Sequence, residues 1–439
     1  VTFRFVWLYG PSMVTKGSDV LTESERVTLQ QRTLRVLTIG QVIGSAALGA
    51  AVTVGAYVVQ DILGQETPWA GMATAAVTVG TAAMSQMLSQ RMSRRGRRPG
   101  LSLGYLLASA GGLLAAFGAD RGWLPVFLVG LFFFGNGSAA NLLARYAATD
   151  LSREDSRASD MSRIVFASTF GAVFGPVLVH PAQHVAVEWF GIAKYAGPFL
   201  FSAMFLFTAF VSTTILLRPD PLVLAGGMGN ASSTDSRRGH IAATIRSIWS
   251  HQSSRTALLA MVVSQVTMVA VMTMTPVHLK LHGHEGVSPF VVSLHIAGMY
   301  AFSPLVGRFS DRRGHHETIR VGALLLVAAT AIAALSGNIE QLLFPSLWLL
   351  GVGWNFGLIG GSSLLTESVA ADARVRVQGV ADLLMSFCGG IGGFASGFIR
   401  RAVGYHLLST FALVAAGILL VLVHGQMARK SHVAVPVAR

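Results

Sequence analysis

Few residues in this chain could do chemistry, and they stand in unusual surroundings. Only 12% of the 439 residues are charged, 52% are hydrophobic, and the mean hydropathy is +0.58. Inside the apolar runs stand His295 and, nearer the ends of theirs, Asp61 and Asp382. A charged group at the centre of a membrane-spanning helix costs about 2.5–3.5 kcal/mol, so each is a candidate for function. Imidazole titrates near neutrality, which makes His295 the leading proton carrier. Uncharged polar groups recur at the same depth: Gln41, Asn136, Asn141, Gln265 and Asn355, with Trp354 beside the last. Such groups can hydrogen-bond between helices or, where they face a cavity, meet a neutral or modestly polar organic molecule. Sulfur offers a competing pattern. Met268 and Met272, and likewise His295 and Met299, are i, i+4 pairs, so each pair shares one helix face, and thioether and imidazole ligands suit Cu(I).

The elements that must hold these groups are apolar runs of about 20 residues, enough to cross ~30 Å of hydrocarbon. Twelve are expected, which makes the chain an all-α, multi-pass membrane protein. Helix 1 is read at Val36–Gln60, helix 5 at Ser162–Ala186, helix 8 at Pro289–Phe309, helix 11 at Gly379–Ile399 and helix 12 at Gly404–His424. Residues 1–33 form a lead-in, 34–217 and 255–425 two six-helix halves, 218–254 a linker, and 426–439 a tail. Ile241, Ile245, Ile248 and Trp249 around Arg246 predict an amphipathic linker helix at the membrane surface. The mixed charges of Asp150 to Arg163 predict a solvated link.

Net charge is +13, but the basic residues are scattered between apolar runs and do not form the stripe that marks a nucleic-acid partner. Of the 33 Lys and Arg, all except Arg121, Lys194, Lys280, Arg400 and Arg401 fall on one set of loops. That bias places those loops, and both termini, in the cytoplasm. Cys388 is the single cysteine, so no intramolecular disulfide or thiolate cluster forms. The absence of Walker, GxSxG and HExxH patterns points to no cofactor and no enzyme.

The most specific signal is the turn Gly307-Arg308-Phe309-Ser310-Asp311-Arg312-Arg313-Gly314. A degenerate copy, Ser89 to Arg98, lies half a chain earlier, with Ser89 in place of Gly307 and Ser93 in place of Asp311. Gly64 and Glu66 match Gly283 and Glu285, Gly135 and Gly137 match Gly351 and Gly353, and Asp150 matches Glu367, all at nearly the same separation. The turn resembles the loop motif of the major facilitator superfamily, twelve-helix transporters built from two six-helix pseudo-repeats. The resemblance implies alternating access in a bacterial-type plasma (inner) membrane by a monomer, with a gating role for Gly307, Asp311, Arg312 and Gly314. Asp311 is expected to cap helix 5. Gly171, Gly175 and Pro176 form a GxxxGP that resembles the helix 5 signature of antiporters, implying export of a small organic compound or drug against protons, with Asp61, His295 and Asp382 as coupling groups. Leu131 stands where the superfamily often has an intramembrane arginine. The MxxxM and HxxxM pairs are similar to those of the copper-importing branch, with Met268, Met272, His295 and Met299 as ligands; riboflavin-type uptake is a further alternative.

Overall fold

The computed structural model describes residues 22–64, 72–227, 237–282, 287–337 and 339–433. The repeat positions Glu66, Gly283 and Glu285, the middle of the linker around Ser233 and most of the expected lead-in lie outside them.

Among these residues the chain is helical, with α1 Glu23–Leu63, α2 Met72–Arg95, α3 Arg97–Asp120, α4 Leu124–Ala147, α5 Arg157–Val177, α6 Val179–Phe190, α7 Ala196–Leu216, α8 Pro221–Leu224, α9 Arg237–Ser250, α10 Gln252–Leu281, α11 Ser288–Tyr300, α12 Ser303–Arg313, α13 His315–Leu335, α14 Leu343–Glu367, α15 Ala371–Val403 and α16 Tyr405–Val433. Nine segments among the described residues are long and apolar enough to cross a membrane on length and composition alone. With α1, α2 and the α5/α6 pair they make the twelve spans of an all-α membrane bundle. Two large apolar cores form, one joining α1 to α7 and the other mainly α10 to α16, with a small third cluster of Ala158, Val306 and Ile359 between the halves.

The repeat is visible in the packing. A Cβ added to Gly135 of α4 would collide with the Val77 carbonyl of α2, and one added to Gly351 of α14 with the His295 carbonyl of α11. Both colliding partners, like both glycines, sit one repeat apart. Small residues here let backbones touch, and His295 occupies the place that Val77, an apolar residue, fills in the first half.

Several expected boundaries are corrected. Helix 1 begins well before Val36, at Glu23, because Thr22 and Glu25 form a capping box; its polar first turns pack on the α4–α5 connection, where Arg26 donates to the Leu151 and Ser152 carbonyls and Gln30 to Asp160. That connection is therefore not solvated throughout, since Leu151, Ser152 and Asp160 are buried. Helix 5 is two helices broken at Leu178, just beyond Pro176, whose side chain lies outside the described set. Helix 8 is likewise two helices, broken at Ala301-Phe302 ahead of Pro304, which has no amide hydrogen to donate back. Helix 11 starts at Ala371, and α16 runs to Val433, into the expected tail. Gly96 and Gly314, one repeat apart, both adopt positive φ (94° and 89°) at the turns into α3 and α13, a conformation that glycine takes without a steric cost.

Candidate functional site: a seam closed at one end

One end of the bundle carries the exposed arginines Arg94, Arg95, Arg312 and Arg313 and is called here the basic end. Among the described residues, the hydrogen bonds found between the two halves lie at this end. At its centre is an ion pair: Arg145 of α4, 2% exposed, reaches Asp382 of α15, fully buried, with Nη2 to Oδ1 at 2.5 Å and Nη1 to Oδ2 at 3.3 Å. The guanidinium also lies 4.4 Å from the Tyr146 ring centroid and donates to the Tyr146 hydroxyl (3.2 Å), to Ser362 of α14 (3.3 Å) and to the Leu142 carbonyl. Five N–H donors in a fixed fork are thus spread over both halves.

Two helix junctions flank this pair. At one, Asp311 at the end of α12 accepts from the Ala158 and Ser159 amides at the start of α5, at 2.9 and 2.8 Å. These amides lack intrahelical partners, so a carboxylate there satisfies them and meets the positive end of the helix dipole. A Cβ at Gly307 would run into the Ser162 side chain. At the other junction the chemistry is inverted. Ser89 of α2 donates to the Val375 carbonyl of α15, and a Cβ at Gly379 would run into Ser89. Gly379 is the repeat partner of Ser162, as Ser89 is of Gly307, so each junction holds one glycine and one serine with the roles exchanged. Ser93, in the place of Asp311, bonds locally to the Gln90 carbonyl.

Arg97, fully buried, makes a forked pair with Asp150 at 2.8 and 3.0 Å and also donates to Gln378 of α15 at 3.0 Å. Burial pushes the Asp150 carboxyl above its ordinary range, and Arg97 works against that. Position in the sequence groups Arg97 and Arg145 with the solvated loop charges; the structure corrects this, since both are buried. Asp382 likewise is not a helix-end carboxylate free in water but the most enclosed acid of the seam.

Toward the opposite end no hydrogen bond joins the halves among the described residues. A Cβ at Gly390 of α15 would meet Thr78 of α2, but at Gly397, the same face two turns further on, it would meet nothing within 4 Å.

The remaining expected site residues are spread over separate contacts, most of them between helices. Gln41 donates to Ser168, joining α1 and α5, while Gly171 packs on Ser45 and Ala46 of α1; Gly175 is buried in α5. Asn141 accepts from Tyr105 at 2.9 Å, Asn136 donates to the Phe133 carbonyl, and Asn355 accepts from Ser303. Trp354 and Gln265 do come together, Nε1 donating to Oε1 at 2.7 Å between α14 and α10, with Tyr300 edge-on to the indole. Asp61 is exposed in the last turn of α1. His295 is fully buried, with Nδ1 2.8 Å from the Leu347 carbonyl and Nε2 without a hydrogen-bond partner. Met268 and Met299 are buried in the second core and Met272 packs against it. Among the described residues no three His, Cys, Asp or Glu are grouped to hold a metal ion.

Sequence reasoning missed Arg145 and Tyr146. The signal available was Asp382 itself: a carboxylate in an apolar helix requires a cation.

Comparison with known proteins agrees with this architecture. The sequence profile described as Major Facilitator Superfamily matches residues 37–397 and 286–432. The MFS-type transporter YdeG of Bacillus subtilis (strain 168) is 38% identical over 398 residues, covering 89% of this chain and 91% of YdeG. The riboflavin transporter RfnT of Brucella anthropi is 27% identical over 399 residues, 90% of this chain and 95% of RfnT. In structure, a bacterial homologue of the iron transporter ferroportin, in an outward-facing state, superposes with a TM-score of 0.69 at 14% identity, covering 90% of this chain and 99% of the homologue.

Proposed function

The chain belongs to the major facilitator superfamily, whose members are multi-pass transporters of small molecules and not enzymes, and we propose that it exports a small, weakly charged organic compound in exchange for protons, with Asp382 as the proton-carrying group. The basic end is the cytoplasmic one on this reading, in keeping with the bias of Lys and Arg to inner loops, and the structure is then the outward-facing state of an alternating-access cycle.

The observation that carries the coupling is the Arg145–Asp382 pair. With the basic end shut, as here, Asp382 is paired with Arg145 across the halves, and parting them at that end would take its cation away. Protonating the carboxyl removes the charge that holds Arg145 and frees the halves to part at that end; losing the proton to the inner side restores the pair and shuts the end again. His295 has no such dependence, because its contacts are within one half. The export direction rests on the antiporter-like Gly171, Gly175 and Pro176. The Gln265–Trp354 pair gives a cargo an amide and an aromatic face.

The test is flux in proteoliposomes under an imposed pH gradient, with a panel of apolar organic compounds, riboflavin because of the RfnT relationship, and Cu(I). Asp382→Asn should abolish pH-driven flux while leaving substrate exchange; His295→Gln should leave both. Undiminished pH-driven flux in Asp382→Asn refutes the assignment, and flux of Cu(I) alone would replace the cargo.

A further inference from the structure

The two halves build the same latch from different chemistry. In the first half, Arg97 at the start of α3 pairs with Asp150 just beyond α4. One repeat later, His315 at the start of α13 pairs with Glu367 at the end of α14, Nε2 to Oε1 at 2.8 Å. The correspondence is positional as well as chemical, since Arg97 precedes His315 by almost the same stretch of chain as Asp150 precedes Glu367.

The latches differ in what they can do with a proton. A guanidinium stays charged at any accessible pH, whereas imidazole is the side chain whose ordinary titration falls between about pH 5 and 8. They also connect differently to the seam. Arg97 reaches Gln378 on the opposite half directly. His315 reaches the seam through its own half: Nδ1 lies 2.8 Å from the buried Ser310 hydroxyl, and the next residue is Asp311, which caps α5 across the seam. The run from Glu367 through His315 and Ser310 to Asp311 is therefore one connected path ending on the other half.

We propose that His315 is a positioning residue for the gate, acting through Ser310 and Asp311, and that its protonation from the basic side tightens the α5–α12 junction, whereas Arg97, the cation in the same place in the first half, holds its charge throughout. Protonated, His315 makes a charge-assisted bond to Glu367 and places a positive charge beside Asp311; neutral, it keeps a hydrogen bond to each neighbour and loses both electrostatic gains. The charged groups around it are Asp311 of α12, Glu367 of α14, Arg157 of α5 and Arg374 of α15, with Glu317 and Arg320 on its own helix paired to each other. The two arginines act on Glu367 as constant charges, so the imidazole supplies the variable one. This sensor is separate from Asp382: it reads pH on the basic side whether or not cargo moves.

The experiment is the separation of the halves at the basic end, read by paired spin labels on Arg94→Cys and Arg313→Cys in a Cys388→Ser background, on the full chain in lipid nanodiscs. Protonation of Asp382 opens this end in every variant, so each population is referred to H315R, which keeps that response and carries a permanent charge at position 315. Between about pH 5 and 8 the closed-to-open ratio of the wild type divided by that of H315R should fall about two- to fivefold as pH rises, the scale of one partly exposed ion pair; for E367Q, which keeps a hydrogen bond without the charge, the same quotient should be flatter. A wild-type quotient that is flat with pH overturns the proposal. So does, should H315R fail to insert, a pH response unchanged in E367Q.

Discussion

Asp382→Asn is the perturbation with the largest expected consequence for the conformational cycle. The carboxylate is fully buried, its cation comes from the other half, and Arg145 is 2% exposed. Removing one partner of such a pair leaves an uncompensated buried charge, at a cost of about 3–5 kcal/mol. In a transporter the chain escapes that cost by opening the basic end and hydrating Arg145. At about 1.4 kcal/mol per factor of ten, the closed-to-open ratio should fall roughly a hundred- to a few-thousandfold. Replacing both partners with apolar groups should act in the opposite direction. Arg145→Met with Asp382→Leu leaves no charge to hydrate, keeps a flexible side chain against the Tyr146 ring, and is expected to be neutral or to stabilise the closed form by about 1–4 kcal/mol. Spin-label distances across the basic end read both states. A closed population unchanged by Asp382→Asn, or a double variant that opens further than the single one, refutes the reasoning.

Exchanging the small residues at one junction tests the inverted packing: Gly307→Ser alone should open the α5–α12 contact, and adding Ser162→Gly should restore it, with a coupling of about 0.5–3 kcal/mol in a double-mutant cycle. Single cysteines at Arg313 and Arg121, both exposed, should be labelled from the cytoplasmic and the outer side respectively; outer labelling at position 313 would invert the topology. Met268→Leu and Met299→Leu keep volume and apolarity, at a packing cost below about 1.5 kcal/mol, so organic flux should be unchanged by them; copper flux lost in either variant would establish sulfur ligation.

The parts of this fold that the sequence made legible are those written in local pattern. Apolar runs marked the spans, the repeat tied Gly135 to Gly351, and the turn ending in Gly314 put Asp311 within reach of a helix start. The capping box of Thr22 and Glu25 was also on display, but the polar residues after it masked the continuation of α1. What was not legible is pairing across the halves. Arg145 closes α4 next to the polar Asp150 loop, so hydropathy alone assigns it to water. Its partner is on α15, in the other half of the chain, and no spacing rule connects them. The polar groups of the spans misled in the other direction: Asn141 and Asn355 lie at membrane depth, as their positions require, yet their amides bond to neighbouring helices and join those helices together.

The exchanged glycine and serine at the two junctions bear on how the loop motif is recognised in other chains. Read along the string, the first copy has decayed, because Ser89 stands where a glycine belongs. Read across the seam, the packing has been kept even though the capping carboxylate has not: the position that must be empty has moved to Gly379, and the volume of the contact is conserved. The constraint is thus on a sum of two side chains contributed by opposite halves. A search that scores each loop alone discards such chains, whereas one that scores positions 89 with 379 and 307 with 162 as pairs would keep them. It would also separate a junction that has been rebuilt from one that has fallen apart.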